Sequence, residues 1–382
     1  MRISIFISLF ILLSACHSLR VIPVHNDTKL KKEGIFYYLP ETRLVVDVTV
    51  KEIHYLKGPF SAYSAKFTGI SNVITENKTV YFVEDIKLKT FSVPDTSRLF
   101  FIETSKLKNK DNFMINFNDY GCISSVNIDL SEEYYDKNKI SEKESDNLNH
   151  PSNSGFEYFA TGNTRIKTDT IFEKIILDTV TIEKQILQHS IIEKSIEDKA
   201  KDAADYIRLI SENKMNLISG YQEINYDLNT FDAMLEELNK MQQEYLTLFT
   251  GKAIEYSKHY LINIDPDKIN EKTFIFSFSE SYGVLEDYDS LLSDELYYYE
   301  LVSDKKSNAI KSVITNTKHY KNKGIAYNIP EDCVFILNNE AGEVVLKEKV
   351  PICQLGITNY LPSSIKNVLF DTNSGAIRML KK

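Results

Sequence analysis

The 382-residue chain contains no tryptophan, although it has 23 tyrosines. Tryptophan has the largest flat apolar face for stacking on sugar rings, so its absence removes the most typical element of a glycan-binding platform. Tyrosine can take that role, but we expect the three consecutive tyrosines at 297–299 to alternate across a strand instead. Glycan binding is therefore an alternative and not the first prediction.

Cysteine is also scarce. After Cys16 only Cys122, Cys333 and Cys353 remain, and no Cys or His stands near them at the spacing of a zinc site. We predict no metal and no cofactor. The three side chains are expected to be buried as small apolar groups. The alternative is a disulfide between Cys333 and Cys353 in an oxidising periplasm.

The chain has fewer basic than acidic residues, 45 Lys and Arg against 54 Asp and Glu, with a net charge of −9. Nucleic-acid binding needs clustered basic residues, whereas the lysines here are dispersed among carboxylates, so we exclude it. The acidic stretch 286–290, with Asp294 and Glu295, lacks the regular spacing and central glycine of a calcium loop. We expect a solvated loop there.

Catalytic signatures are missing as well. The sequence contains no nucleophile elbow, no His-Glu-x-x-His helix and no phosphate loop. The seven histidines are scattered, at His17, His25, His54, His150, His189, His259 and His319. Cys122 would need His150 beside it to act as a nucleophile. We name no catalytic residue and lean against an enzyme, with a periplasmic hydrolase whose triad is assembled across domains as an alternative.

The first sixteen residues carry the clearest signal. A basic residue precedes an apolar run, residues 3–13, and the motif Leu-Ser-Ala-Cys ends at Cys16. The run is too short for a permanent membrane span, and small residues precede the cysteine as a lipoprotein signal peptidase requires. We predict a signal peptide at 1–15, acyl chains such as palmitate on Cys16, and a flexible tether at 16–33. The competing interpretation is an ordinary secretory signal or a single membrane anchor.

Residues 34–189 are predicted to form an N-terminal β domain. Apolar and polar residues alternate with the period of half-buried strands in three segments, at 44–50, 80–83 and 86–91, and residues 99–102 are predicted to form another, apolar strand. Pro94 and Asp95 are predicted to end a strand before the last of these. Residues 129–154 are polar with few aliphatic side chains, so we predict a mobile loop there.

The apolar period changes from two to 3.6 within residues 190–251, which predicts a helical hairpin. We expect the first helix to begin at Ser190, with Glu193 completing a capping box, and to end at Gly220. The second helix should end at Gly251. The hairpin is expected to close on itself and to pack one side against a sheet, with a partner-binding arm as the alternative.

Residues 252–382 return to strand patterns and are predicted to form a C-terminal β domain with a small sandwich-like region. Residues 34–41 and 324–331 resemble each other, each running from Gly-Ile to Pro-Glu. Either a β-module is duplicated or two strand entries have converged, and each copy should be a short edge segment that stops at its proline. The predicted fold class is α+β, mainly β: two antiparallel β regions with an inserted two-helix hairpin.

Five short motifs lie in order along the chain, at residues 38–40, 57–60, 236–239, 244–252 and 351–356. Together they resemble an uncharacterised lipoprotein family of gut-type envelope bacteria, domain of unknown function family 4831. The resemblance implies no known activity. Surface-displayed lipoproteins of such bacteria usually carry acidic residues after the lipidated cysteine, which residues 17–20 lack. The resemblance therefore implies the periplasmic side.

The first prediction for function is a non-catalytic outer-membrane lipoprotein with a structural or adaptor role in the cell envelope. The absence of catalytic and metal motifs is its main support. Its partner would be another envelope protein or a glycan, and the sequence does not predict an oligomeric state. A glycan-binding lipoprotein and a periplasmic hydrolase are the alternatives from other classes.

Overall fold

The computed structural model describes residues 20–104, 114–128, 156, 162–177, 180–220, 227–264, 266–287, 291–303, 305–316, 324–362, 365 and 367–381. The fold is α+β and mainly β, which confirms the predicted class. Within those ranges, no helix has both the length and the apolar character needed to cross a membrane. Cys16 and the predicted mobile loop at 129–154 lie outside the described residues.

Along the chain the strands are β1 (Arg20–Pro23), β2 (Gly34–Leu56), β3 (Lys78–Glu103), β4 (Ile115–Phe117), β5 (Ile123–Val126), β6 (Thr164–Leu177), β7 (Val180–Glu193), β8 (Lys252–Ile264), β9 (Thr273–Ser279), β10 (Gly283–Leu285), β11 (Glu295–Ser303), β12 (Ala326–Asn339), β13 (Val344–Tyr360), β14 (Asn367–Phe370) and β15 (Ile377–Lys381). The helices are α1 (Ser64–Phe67), α2 (Ile196–Ile218), α3 (Leu228–Thr250) and α4 (Lys306–Asn316), with a 3-10 turn at Ser61–Tyr63. The sheets have the orders β1-β3-β2-β8, β10-β9-β11-β12-β13 and β15-β14-β5-β4, and β6 and β7 form a two-stranded ribbon.

The chain divides into two compact units. One comprises residues 1–51, 81–141 and 257–382, and the other comprises 52–80 and 142–256. The first unit therefore combines strands from the beginning, the middle and the end of the chain. The second contains the ribbon and helices α2 and α3. The domains predicted from the sequence, by contrast, follow one another along the chain.

The main core of the first unit contains the inner face of β2 and side chains of the five-stranded sheet. Val46, Val48 and Val50 alternate along β2 and are fully buried, as the period of two predicts. They belong to the same buried cluster as Phe276 of β9 and Phe335 of β12. Burying one such side chain contributes about 1.5–3 kcal/mol, so this cluster is a main source of stability.

A second core in the same unit involves β5 and β14. Val126 of β5 lies opposite Val368 of β14, and both are buried. Tyr37 of β2 and Phe100 of β3 belong to the same cluster, with their rings stacked at 5.5 Å. This core brings together segments that are far apart in the sequence.

The predicted strand ends at prolines are wrong. β3 continues without interruption through Pro94 and Asp95, and β2 continues through Pro40. Pro330 lies inside β12 at a shift in the pairing register with β13. Proline lacks a main-chain N–H, and strands tolerate this at bulges and at positions where no ladder bond is required.

The segment predicted as a flexible tether, residues 16–33, contains a strand. Its first described residues form β1, which pairs antiparallel with the end of β3. Val21 is buried in the second core, and the N–H of Val24 donates to the carbonyl of Leu99 at 2.9 Å. The strand is too short for its apolar residues to establish a period in the sequence.

The predicted helical hairpin is present, but its first helix begins later than expected. Ser190 lies in β7, which pairs with β6 along its whole length, and α2 begins at Ile196. The capping box is formed by Ser195 and Asp198, whose side chains each accept the main-chain N–H of the other residue. Glu193, predicted to close the box, is the last residue of β7.

Helices α2 and α3 pack against each other, as predicted. In the described structure they share their buried cluster with the segment around Phe60, and not with the sheet that the sequence suggested. The rings of Phe60 and Phe249 lie 5.6 Å apart. α3 ends before Gly251, as predicted. The φ of Gly251 is +79°, and a Cβ at this residue would lie 2.4 Å from the carbonyl oxygen of Leu56, so the position requires glycine.

The two segments with similar sequences contact each other within the first unit. The hydroxyl of Tyr37 accepts the N–H of Ala326 at 2.9 Å. The side-chain amide of Asn328 donates to the carbonyl of Pro40 at 3.1 Å. Each segment enters a long strand, but whether they arose by duplication stays a prediction.

Candidate functional site

The cysteines do not form a reactive site among the described residues. Cys122, Cys333 and Cys353 are buried and none is in a disulfide, which confirms the prediction of buried small side chains. Burial raises the pKa of Cys122 to about 12 and that of Cys353 to about 11. A thiol with such a pKa is protonated at neutral pH and is a poor nucleophile. Cys16 and His150 lie outside the described residues, so the predictions made for them stay predictions.

An ion-pair network crosses three neighbouring strands, β3, β2 and β8. Asp47 lies 2.6 Å from the ammonium of Lys89 and 3.1 Å from Nδ1 of His259. The hydroxyl of Thr49 reaches the same ring nitrogen at 3.3 Å. Burial alone would raise the pKa of Asp47, but hydrogen bonds from Lys89 and His259 outweigh burial and hold the pKa below its ordinary value. In a catalytic triad, a nucleophile is hydrogen-bonded to the second ring nitrogen of the histidine. The contacts of Asp47 and His259 described here instead connect neighbouring strands.

A buried polar network surrounds Arg98 of β3. Its guanidinium donates to Asp95 at 2.5 Å, to the side-chain oxygen of Asn328 at 2.8 Å and to the carbonyl of Pro40 at 2.9 Å. Burial alone would raise the pKa of Asp95, but hydrogen bonds from Ser97 and Arg98 outweigh burial and lower the pKa. The network joins β2, β3 and β12, so its role is structural.

The acidic stretch near residue 290 engages protein donors. Asp294 accepts hydrogen bonds from the hydroxyl of Ser279 at 3.0 Å and the N–H of Glu280 at 2.7 Å. Glu295 accepts the hydroxyl of Tyr297 at 2.7 Å. Over the ranges that the structure describes, no three His, Cys, Asp or Glu side chains are placed to hold a metal ion. Residues 288–290 lie outside those ranges.

The consecutive tyrosines alternate across β11, as predicted. Tyr297 and Tyr299 are buried in the main core. Tyr298 is partly exposed, and the ammonium of Lys272 lies 4.4 Å from the centre of its ring. Two of the three rings are therefore committed to the core and cannot stack on a sugar.

The most distinctive surface of the second unit is the ribbon formed by β6 and β7. Its strands pair residue by residue, and opposite residues share a face. Four large apolar side chains on one face, which we call the ribbon face, are exposed: Ile166, Phe172, Leu187 and Ile191 are 70%, 57%, 61% and 76% exposed. A group of exposed apolar side chains is typical of an interaction site.

The opposite face of the ribbon, which we call the polar face, carries more charged side chains. It holds Arg165, Lys167, Asp169, Glu173 and Lys184 beside Ile171, Ile186 and Ile192, whereas the ribbon face holds Lys174, Glu183 and Glu193. A two-stranded ribbon by itself is only marginally stable in water, so an ordered ribbon benefits from a covering partner. The ribbon face has fewer charged residues, and its apolar side chains are more exposed than Ile171 and Ile186, so it is the side that a partner would cover.

Ion pairs connect the base of the ribbon to the start of α2. Arg165 lies 3.0 Å from Asp198, the residue that also completes the capping box. Lys194, which directly follows β7, lies 2.6 Å from Asp202. Exposed pairs of this kind contribute at most about 1 kcal/mol each, but together they orient the ribbon relative to the helix.

The sequence predicts a β domain up to residue 189 but does not predict the ribbon itself. Residues from Ser190 onward were predicted to be helical, and the helical hairpin was the one element considered as a partner-binding arm. A signal that could have revealed it is the high content of β-branched residues on both sides of residues 178–179, which continues through Ile191 and Ile192.

Residues 33–378 match the family described as a domain of unknown function, DUF4831. The chain belongs to this family. The match confirms the domain of unknown function inferred from the five motifs, and it includes the ribbon, both long helices and most of both cores. Cys16 and β1 of this DUF4831 chain precede the matched region. No curated protein and no solved structure matches the chain.

Proposed function

We propose that this DUF4831 protein is a non-catalytic lipoprotein of the outer membrane with a structural or adaptor role in the cell envelope. The motif ending at Cys16 supports a signal peptide at 1–15 and acylation of Cys16, including palmitate. The absence of acidic residues directly after Cys16 supports the periplasmic side.

The ribbon face is the observation that carries the adaptor role. Exposed aromatic and aliphatic side chains become the main contributors to affinity when a partner covers them. In the described structure each ribbon strand has a hydrogen-bonded neighbour on one side only, so the outer edges can also accept a partner strand. The partner is another envelope protein that presents an apolar surface or a sheet edge.

The adaptor role is tested by crosslinking in cells followed by mass spectrometry on the tagged protein. The ribbon variant Leu187→Ser with Ile191→Ser removes two exposed apolar side chains. The matched control, Lys184→Ser with Gln188→Ser, changes two exposed side chains on the polar face of the same strand. We expect one partner that crosslinks to the wild type and the control, and that is lost from the ribbon variant.

Two results would contradict this proposal. If the ribbon variant retains every partner of the wild type, the ribbon face is not the docking surface. If an abundant and anchored protein crosslinks to no protein at all, the adaptor role is wrong, and glycan capture becomes the function to test.

Lipidation is tested separately, by growth with a labelled fatty acid and by the intact mass of the extracted protein. We expect label in the wild type and none in Cys16→Ala. Cys122→Ala, which also removes a cysteine, should keep the label. A wild type without label contradicts the anchor, whatever the crosslinking shows.

A further inference from the structure

The chain is tied to its fold very soon after Cys16. β1 begins at Arg20, and its residues pair with the end of β3. One residue spans at most about 3.6 Å, so the Cα of Arg20 lies within about 14 Å of the Cα of Cys16. A lipid on Cys16 therefore brings the surface around β1 to the membrane, and no long tether separates the two.

Basic side chains are concentrated at this end of the chain. Four of the six charged residues from Arg20 to Glu33 are basic, in a protein whose net charge is −9. Lys29, Lys31 and Lys32 are exposed. Since the chain as a whole is acidic, this local excess of positive charge is opposite in sign to the remainder of the molecule.

Two of these basic residues, Arg20 and Lys32, are held on the body of the first unit by a buried carboxylate. Glu103, at the end of β3, is 5% exposed and lies 3.5 Å from the guanidinium of Arg20. The ammonium of Lys32 lies 3.8 Å from its other oxygen. Glu103 thus offsets part of this positive charge, while Lys29 and Lys31 extend the exposed positive surface.

An exposed aromatic ring lies next to these lysines in the chain. Phe36, at the start of β2, is 50% exposed, and its ring packs at 5.0 Å from that of Phe101 in β3. Phenylalanine flanked by lysines is a typical combination at the membrane interface, where the ring inserts among headgroups and the ammonium groups meet phosphates.

We propose that the surface formed by Arg20, Lys29, Lys31, Lys32 and Phe36 lies on the membrane and binds the phosphates of anionic phospholipids. We call it the basic surface. The proposal rests on the anchor at Cys16, since it is the short connection to Cys16 that places this surface at the bilayer. The contact would give the anchored protein a defined orientation, where a long tether would not.

The test uses the full mature chain with Cys16→Ala, so that lipidation plays no part. Its sedimentation is measured with vesicles of phosphatidylcholine alone and with vesicles of phosphatidylcholine and phosphatidylglycerol in equal amounts. We expect binding to the anionic vesicles only, weakened by salt. Replacing Lys29, Lys31 and Lys32 by Gln should lower the partition coefficient onto anionic vesicles roughly fivefold per lysine, because each lysine contributes about 1 kcal/mol of binding at an anionic membrane surface.

The matched control replaces three exposed lysines elsewhere in the same unit, Lys268, Lys347 and Lys349, by Gln. It changes the net charge equally and should retain binding. Phe36→Ser should weaken binding by a factor that does not depend on salt. All variants are exposed substitutions, and an unchanged thermal unfolding curve verifies folding.

The proposal is overturned if anionic vesicles do not bind the chain, or if the two lysine variants lose the same amount of binding. Neither result bears on acylation of Cys16, which is measured on the native protein. The failure of the basic surface and the failure of the anchor are therefore distinguishable.

Discussion

Among single residues, Arg98 has the most direct effect on how the first unit is held together. Its guanidinium donates to four acceptors: Asp95, Asn328 and the carbonyls of Pro40 and Cys353. The planar fork serves these acceptors at once, which the single ammonium of a lysine cannot do. The side chain is 19% exposed, so water replaces these contacts poorly.

Replacing Arg98 by Met should destabilise the protein strongly, because it leaves Asp95 buried without its cationic partner. We expect a loss of about 3–5 kcal/mol in the free energy of unfolding, measured with urea. Arg43→Met is the control, since Arg43 pairs with Glu41 at a more exposed position and should cost at most about 1 kcal/mol. Equal losses would show that the network is not structural.

Acid should destabilise the protein through Asp47 and Asp95. Both have a pKa lowered by folding, so they bind fewer protons in the folded state than in the unfolded state, where the pKa is about 3.9. Their stabilisation is complete above the unfolded pKa and is lost as pH falls through the folded pKa. Asp95→Asn should therefore reduce the free energy of unfolding at neutral pH. Between about pH 5 and pH 2 this free energy should fall less steeply with decreasing pH than it does in the wild type.

The measurement is the free energy of unfolding as a function of pH for the wild type and Asp95→Asn. Glu340→Gln, at an exposed turn, serves as the control and should keep the slope of the wild type. If Asp95→Asn has the same slope as the wild type, Asp95 does not contribute to acid unfolding.

The boundary between β7 and α2 shows how neighbouring elements compete for the same residues. From Ser190 the sequence satisfies a helix pattern, yet the ladder with β6 continues to Glu193. Two residues later Ser195 and Asp198 provide a complete capping box, so the helix has a better start there. The apolar period alone could not distinguish the two starts, because Ile192 and Ile196 suit either.

The two candidate caps make opposite predictions. Ser195→Ala should cost about 1 kcal/mol of stability, because the N–H of Asp198 loses its acceptor. Ser190→Ala should change stability by less than about 0.5 kcal/mol, since Ser190 is a partly exposed strand residue that caps no helix. Thermal unfolding measures both variants. A larger loss of stability in Ser190→Ala than in Ser195→Ala would support the helix start at Ser190 that the sequence predicted.

Strands with a clear period of two were predicted well, and strands that depend on a distant partner were not. The alternation at 44–50 identified β2, and the strand patterns within 252–382 correspond to β9, β11 and β12, because side-chain burial on one face is visible locally. β1 was missed because its four residues gain their stability from pairing with β3. β3 was divided at Pro94 because proline is a local signal, while the continuation of the sheet is decided by its neighbours.

For the whole molecule, the sheet β15-β14-β5-β4 connects the early and late parts of the chain. Val368 in β14 is 1% exposed and lies opposite Val126 of β5. The second core includes both residues, so the stability of β4 and β5 depends on a strand encoded far downstream.

Val368→Asp should therefore destabilise a distant segment. A buried charge without a partner costs several kcal/mol, and we expect faster hydrogen exchange at 114–128 as well as at β14. Met379→Asp, on the neighbouring β15, introduces the same charge at a position that is 46% exposed and should leave that exchange unchanged. Unchanged protection of 114–128 in Val368→Asp would mean that this sheet is not one cooperative unit.

The sequence by itself determined the α+β class, the helical hairpin, most strands and the DUF4831 family, because these depend on local periods and short motifs. It also suggested the lipid anchor at Cys16. Only the tertiary structure decided that β1 belongs to the first sheet, that Arg98 joins strands far apart in the chain, and that β6 and β7 form an exposed ribbon. The physical reason is that burial on one face is visible within a few residues, whereas strand partners and buried polar networks depend on contacts between residues far apart in the chain.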